Sequence, residues 1–226
     1  MNQIKKISKN ISSNIVQNMH FQYVQSSLTK LTAIMVLTMM MLAQSLISEA
    51  KAAEPEVTRD VQALEQNGAY LTGLSHRIKE EGSLMQKILA DAVKDNVNLS
   101  QAADGISDVL RYTLVIKEED YSHQVPEAMQ KLTDSGYQVV KFHNAWGGKF
   151  YQGINVQLLS PSGDKTELQF HTPNSYAIKQ ASHGVYEIRR NPESTPEDVA
   201  EATAASIAYN NQVKMPAGAK DITWTI

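Results

Sequence analysis

The sequence predicts an α/β fold of the α+β kind, with a mixed, mainly antiparallel sheet flanked by helices. Three observations predict it. Apolar stripes at helical spacing and short runs of β-formers succeed one another in the order ααβαβββαα. Three of the strands follow each other with no helix between, and Pro161-Ser162-Gly163-Asp164 joins the last two as a turn. The chain also has no cysteine, so no disulfide framework, thiol nucleophile or cysteine-ligated metal stands in for a packed core.

The N-terminus reads as a targeting segment. No acidic residue occurs before Glu49, while Lys5, Lys6, Lys9 and Lys30 make the stretch basic. Residues 31–47 are apolar apart from Thr, Gln and Ser, and Ala50-Lys51-Ala52 offers small residues where a signal peptidase reads. A basic region, an apolar run and an A-x-A site together predict a cleavable signal peptide over 1–52, and hence a secreted or periplasmic protein handled by export machinery. The same run, near the lower limit for crossing a bilayer, is also compatible with an uncleaved anchor. Beyond it, 53–226 is the size of one domain with a core. The leader carries five lysines and one acid, so 21 basic and 24 acidic residues become 16 and 23, a net charge of −7. That balance argues against unspecific nucleic-acid binding, which draws its affinity from phosphate neutralisation. No DNA partner is expected.

Val57, Val61 and Leu64 have helical spacing, and Asn67-Gly68 stops that helix. Ser83 opens a second helix carrying Leu84, Ile88 and Ala92. Residues 111–116 (RYTLVI) form a strand, and Val125, Ala128, Met129 and Leu132 the buried stripe of a helix ending at Ser135-Gly136. Strands follow at 137–142, 153–159 and 166–171, then one helix over about 174–190 and an Ala-rich helix from Pro196 to about Gln212.

The strand Thr166-Glu-Leu-Gln-Phe-His171 carries the chemistry. Its side chains alternate, so Leu168 and Phe170 face one side while Glu167, Gln169 and His171 line the other. The following helix repeats the division, with Ile178, Ala181, Val185 and Ile188 apolar and Lys179, His183, Tyr186 and Arg190 polar. Asp108 sits just ahead of the first strand. With Glu167 it makes the kind of two-carboxylate seat that Mg²⁺ takes alongside substrate phosphates. Upstream, Arg77, Lys79 and Lys87 cluster around Ser83, cations at a spacing that suits a polyphosphate. Taken singly, each feature is equally a solvated surface.

In order along the chain, four segments resemble the RelA/SpoT-type synthetase domain, of nucleotidyltransferase-like fold, and most nearly its secreted and toxin-associated nucleotide pyrophosphokinases. His76-Arg77-Ile78-Lys79 through Ser83 to Lys87 is similar to the family's R-x-K…S…K segment, which grips ATP phosphates. Asp108 stands where the family's Mg²⁺-binding aspartate lies. Tyr151-Gln-Gly153-Ile-Asn155 looks like the loop whose tyrosine stacks on the acceptor base. Glu167-Leu-Gln169-Phe-His171-Thr172 with Lys179, His183 and Tyr186 resembles E-[IL]-Q-x-R-T…H…Y. The likeness covers roughly 71–190. Three departures stand out: Asp108-Val-Leu-Arg111 replaces D-x-x-G-x-R, Asn155 stands where histidine is common, and His171 replaces arginine.

The resemblance implies transfer of the β,γ-pyrophosphoryl group of ATP to the 3′-hydroxyl of an acceptor nucleotide, with AMP released. Asp108 and Glu167 then hold Mg²⁺ and Glu167 orients the acceptor hydroxyl. Arg77, Lys79, Ser83 and Lys87, with Arg111, contact the ATP, and His171 and His183 contact its phosphates or shape the pocket. Tyr151, Asn155 and Gln169 take the acceptor. The product is of (p)ppGpp or (p)ppApp type, or the protein is a toxin-like effector with an immunity protein as partner. The alternatives are an RNA 3′-end pyrophosphokinase toxin and a non-catalytic exported nucleotide-binding domain.

Overall fold

A computed structural model describes the backbone of residues 2–191 and 193–226 and the side chains of 29–191 and 193–226. Helix α1 spans Asn2–Gln62, and strand β1 Tyr70–Thr72. Then come α2 Glu81–Asp95, α3 Leu99–Asp104, β2 Arg111–Val115 and α4 Tyr121–Asp134. Strands β3 Gln138–Asn144, β4 Ile154–Leu159 and β5 Lys165–His171 are consecutive, and α5 Pro173–Ala181, α6 His183–Arg190 and α7 Pro196–Asn210 complete the chain. The five strands form one sheet in the order β1-β2-β5-β4-β3. Only the β2–β5 pair is parallel, so the sheet is mixed and mainly antiparallel.

Register puts matching side chains on matching faces. Tyr112 lies beside Leu168 and Leu168 beside Val156, while Leu114, Phe170 and Ile154 make the next row. All six are buried and join the main core with Val57 and Val61 of α1 and Val125, Met129 and Leu132 of α4. Two hydrogen bonds fasten the cover to the sheet. Tyr121 donates to the Phe170 carbonyl at 2.9 Å, and the Thr58 and Tyr112 hydroxyls lie 2.6 Å apart. The opposite face carries Arg111, Thr113, Asn155, Glu167, Gln169 and His171, and α5 leans on it.

Four local outcomes differ from the sequence expectation. The apolar segment and the helix after it are one continuous helix, because Ala43, Ala50, Ala53, Val57 and Val61 form a single buried stripe across the expected cleavage site. Only Pro55 interrupts the polar ladder there. The helix expected over 174–190 is two helices. The chain leaves helical geometry at Ser182 (φ −87°, ψ 0°), whose hydroxyl bonds back to the Lys179 carbonyl, and Gly184 follows. Its expected apolar stripe is not core either: Ile188 is exposed and α6 buries no residue, lying instead against α7. Finally, β1 and α3 were too short to register as periodic segments, although Asn98 and Gln101 form the capping box that starts α3.

Candidate active site

The polar face is built by the strand pairing. In one row Arg111 of β2 sits opposite Glu167, and Glu167 opposite Gln157. In the next row Thr113, Gln169 and Asn155 are neighbours. Glu167 retains 9% of its surface, Gln169 5% and His171 none, so this is a buried polar layer and not a solvated face. Such a layer survives only if its groups are paired.

Its charged part is a chain of partners. Lys179 donates to Gln169 Oε1 at 2.5 Å, and the Gln169 amide nitrogen donates to Glu167 Oε1 at 2.6 Å. Burial, with the nearby Asp108 charge, pushes the Glu167 carboxyl above its ordinary value. For Asp108 burial acts in the same direction, but Lys79 and Lys87 outweigh it and hold that carboxyl low. Burial, with Arg111 beside it, brings the Lys179 ammonium down to about 8. Two neighbouring carboxyls are thus driven apart in acidity, the usual arrangement of an ionised group beside a proton acceptor.

The basic segment reaches this edge through the backbone. Lys79 N–H donates to the Val109 carbonyl at 2.9 Å and Arg111 N–H to the Arg77 carbonyl at 2.7 Å, with Ile78 bridging Leu110. That zipper sets Lys79 Nζ 3.1 Å from Asp108 Oδ2, and Lys87 Nζ 4.0 Å from Asp108 Oδ1 and 3.3 Å from Asp91. Arg77 turns elsewhere: its Nε lies 2.6 Å from Glu54 of α1, and its terminal nitrogen bonds the Leu74 carbonyl. Ser83 is exposed on the first turn of α2.

The neutral part is equally complete. Tyr151 donates to Asn155 Oδ1 at 2.6 Å and lies 2.9 Å from His171 Nε2, their rings edge to face. His171 Nδ1 is 2.9 Å from Ser175 Oγ, and Ser175 also closes the capping box with Thr172 that starts α5. The sequence His171-Thr-Pro-Asn-Ser175 therefore ends a strand, starts a helix and orients an imidazole at once. Burial holds His171 well below the ordinary histidine value and pushes the Tyr151 phenol up. Gly153 (φ +157°) is what lets them meet, since a Cβ there would come within 2.9 Å of both His171 and the Tyr151 hydroxyl.

The structure thus brings together Asp108, Glu167, Gln169, Arg111, Lys79 and Lys87, and separately Tyr151, Asn155 and His171. Two residues expected to contact phosphate or shape the pocket lie apart from this group. His171 is neutral, without exposed surface and engaged at both nitrogens, so it shapes the pocket beneath Tyr151. His183 projects from α6 into solvent and faces Glu187 at 3.9 Å. Lys179, in contrast, reaches into the strand face, although the sequence gives it no role of its own beyond the polar helix side and the motif block. Its spacing of one turn from the buried Ser175 is the signal that aims it at the strand.

No family model matches this chain, and no curated protein sequence does. Among solved structures, the small alarmone synthetase 1 of Bacillus subtilis bound to its product pppGpp superposes with a TM-score of 0.52 at 15% identity, covering 74% of this chain and 91% of that one. A Streptococcus mutans protein gives 0.50 at 14% identity, covering 74% and 90%. The type VI effector Tas1, crystallised with its immunity protein, is looser at 0.49 and 20% identity, covering 75% and 94%. The first shows that this chain has the fold of a small alarmone synthetase, the fold expected of the RelA/SpoT-type domain.

Proposed function

We propose that this RelA/SpoT-type fold works here as a nucleotide pyrophosphokinase. The observation that carries the reading is a pair of carboxylates, one buried and one half-buried. Asp108 is held ionised by two lysines, and Glu167 is raised beside it, on a face that also presents Arg111. Pyrophosphoryl transfer demands little covalent work from a protein and much charge neutralisation and alignment. In this reading Lys79 and Lys87 exchange their present carboxylate partners for ATP phosphates, with Arg77, Ser83 and Arg111 as further donors. Glu167 accepts the proton of the acceptor 3′-hydroxyl. The hydroxyl oxygen bonds to the β-phosphorus of ATP while the bond from that phosphorus to the α-phosphate bridging oxygen breaks, and AMP leaves with that oxygen. Tyr151, Asn155 and Gln169 lie along the acceptor side.

The donor set suits Mg²⁺. Asp108 Oδ1 is buried without a hydrogen-bond partner, and among the described residues no three His, Asp or Glu side chains converge. Two carboxylates completed by substrate phosphates are how that ion is usually held. When bound it supplies charge neutralisation on the phosphate oxygens.

The reading includes 53–226 as the working domain, a leader over 1–52 removed on export, and an immunity protein as partner. The leader is supported by the one described segment apolar enough to cross a membrane, within 29–62 near the N-terminus. A second reading takes an RNA 3′ end as acceptor. It is favoured by a cationic aromatic cluster next to Tyr151, where the Arg189 guanidinium lies 3.9 Å over the Phe150 ring and Lys149 5.5 Å from it. Incubating the protein with ATP, Mg²⁺ and each candidate nucleotide or RNA, then separating products, tests both. AMP formed one for one with a 3′-pyrophosphorylated product is expected, and no AMP with any acceptor overturns the assignment.

A further inference from the structure

Gln169 occupies the centre of the polar face, where an amide would ordinarily be offered to an acceptor base, yet both of its ends are spent. Its oxygen takes the Lys179 proton at 2.5 Å and its nitrogen gives a proton to Glu167 at 2.6 Å. An amide held between a cation and an anion has one favourable orientation. Turned over, it would present its NH₂ to the ammonium and its carbonyl to the carboxylate, two repulsive contacts in place of two charge-assisted bonds. The side chain itself is 5% exposed, so water cannot relieve the mismatch.

We propose that Lys179 is a positioning residue that locks the Gln169 amide and, through it, aims the Glu167 carboxylate at the acceptor hydroxyl. The inference rests on the pyrophosphokinase reading and changes what Gln169 does within it, from reading the acceptor to relaying a constraint. Several features make the lock specific. Lys179 projects from α5, which the Thr172–Ser175 capping box docks onto the end of β5, so the distance from lysine to strand is set by a helix start and not by a loop. The same ammonium lies 5.9 Å over the Tyr176 ring, which steers its stem across the face. Arg111 stands beside Glu167 in the strand register, so a second cation borders the carboxylate without occupying the amide.

The test uses the full chain and the variants Lys179→Met and Lys179→Arg, with two readouts. The first is the side-chain amide signal of Gln169 in a nitrogen–proton correlation spectrum, which needs neither substrate nor metal. The second is the split between kcat and KM in pyrophosphoryl transfer. Lys179→Met is expected to move the Gln169 amide signal and to lower kcat tenfold or more, with KM for ATP changed less than twofold. Lys179→Arg keeps a donor and is expected to restore both most of the way. A Gln169 signal unchanged in Lys179→Met overturns the lock. So does a raised KM for ATP with kcat intact, which would make Lys179 a phosphate ligand. If the wild-type chain transfers nothing to any acceptor, the functional reading falls by itself, and the lock, as a geometric claim, stands or falls on the amide signal alone.

Discussion

The two parts of the polar face are built from similar residues in similar burial, yet they are organised for opposite ends. Around Tyr151, Asn155, His171 and Ser175 every group is neutral and each hydrogen bond closes on another, so the network holds shape. Around Asp108, Glu167 and Lys179 the groups are charged, their acidities are pulled in opposite directions, and one carboxylate oxygen, Asp108 Oδ1, has no hydrogen bond and only the Lys87 ammonium at 4.0 Å. Buried polar groups that are all satisfied contribute order, whereas a charged group left short of a partner is poised for a ligand. The comparison teaches that adjacency in a sheet does not imply a shared role.

The largest effect expected from breaking this comparison is at Glu167. Glu167→Gln keeps the size and the bond from Gln169 but removes the proton acceptor, so turnover should fall by about 100-fold or more. Thermal stability should not drop, because the change removes a buried charge and opens no cavity. A paired product assay and thermal melt check this. A variant that is active, or one that unfolds, would move Glu167 into the shape-holding part.

Gly153→Ala should do the reverse. A methyl would press on His171 and Tyr151 at a backbone angle that side chains avoid, so stability should fall by on the order of 2–3 kcal/mol. Denaturant midpoints at unchanged slope measure it. Unaltered stability would show the neutral network to be slack.

A third, smaller effect is in pH. The folded Lys179 releases its proton near 8, while in the unfolded chain it does so near about 10.4. Between those values the unfolded state binds the extra proton, so Lys179 adds stability as pH rises through the window, on the order of 1–2 kcal/mol after discount for partial exposure. Melting wild type and Lys179→Met from pH 7 to 10.5 should show this rise only in wild type. Parallel curves would mean that Lys179 is effectively solvated.

The smallest effect concerns Arg77, drawn away by Glu54. Glu54→Gln should free the guanidinium and tighten binding of a non-hydrolysable ATP analogue by up to about fivefold, the scale of a half-exposed ion pair. Calorimetric titration checks it, and weaker binding would leave Arg77 outside the ATP site.

Much of this was legible in the sequence because it obeys local rules. The alternation of Leu168 and Phe170 against Glu167, Gln169 and His171 follows from the pleat alone, and it locates the face. Asp108 was readable as an acid ahead of a strand. The pairing of Arg77 with Glu54, 23 residues back on α1, is not legible, because motif spacing says nothing of contacts between elements. Which of its two expected roles His171 takes is not legible, because its burial depends on Gly153 just ahead of β4 and on Ser175 of α5. The split of α5 from α6 escaped because a single serine bonding back to Lys179 decides it.

The unbroken course of α1 also sets an order of events. A protease that takes its substrate as an extended strand finds residues 50–52 wound in a helix, with Ala50 and Ala53 almost wholly covered. A cut after Ala52 therefore has to come before the helix closes on its neighbours, or wait for it to open. Under the proposed removal of a leader, maturation would be a race between proteolysis and folding, and a substitution that hastens the docking of α1 would trade finished product for intact precursor.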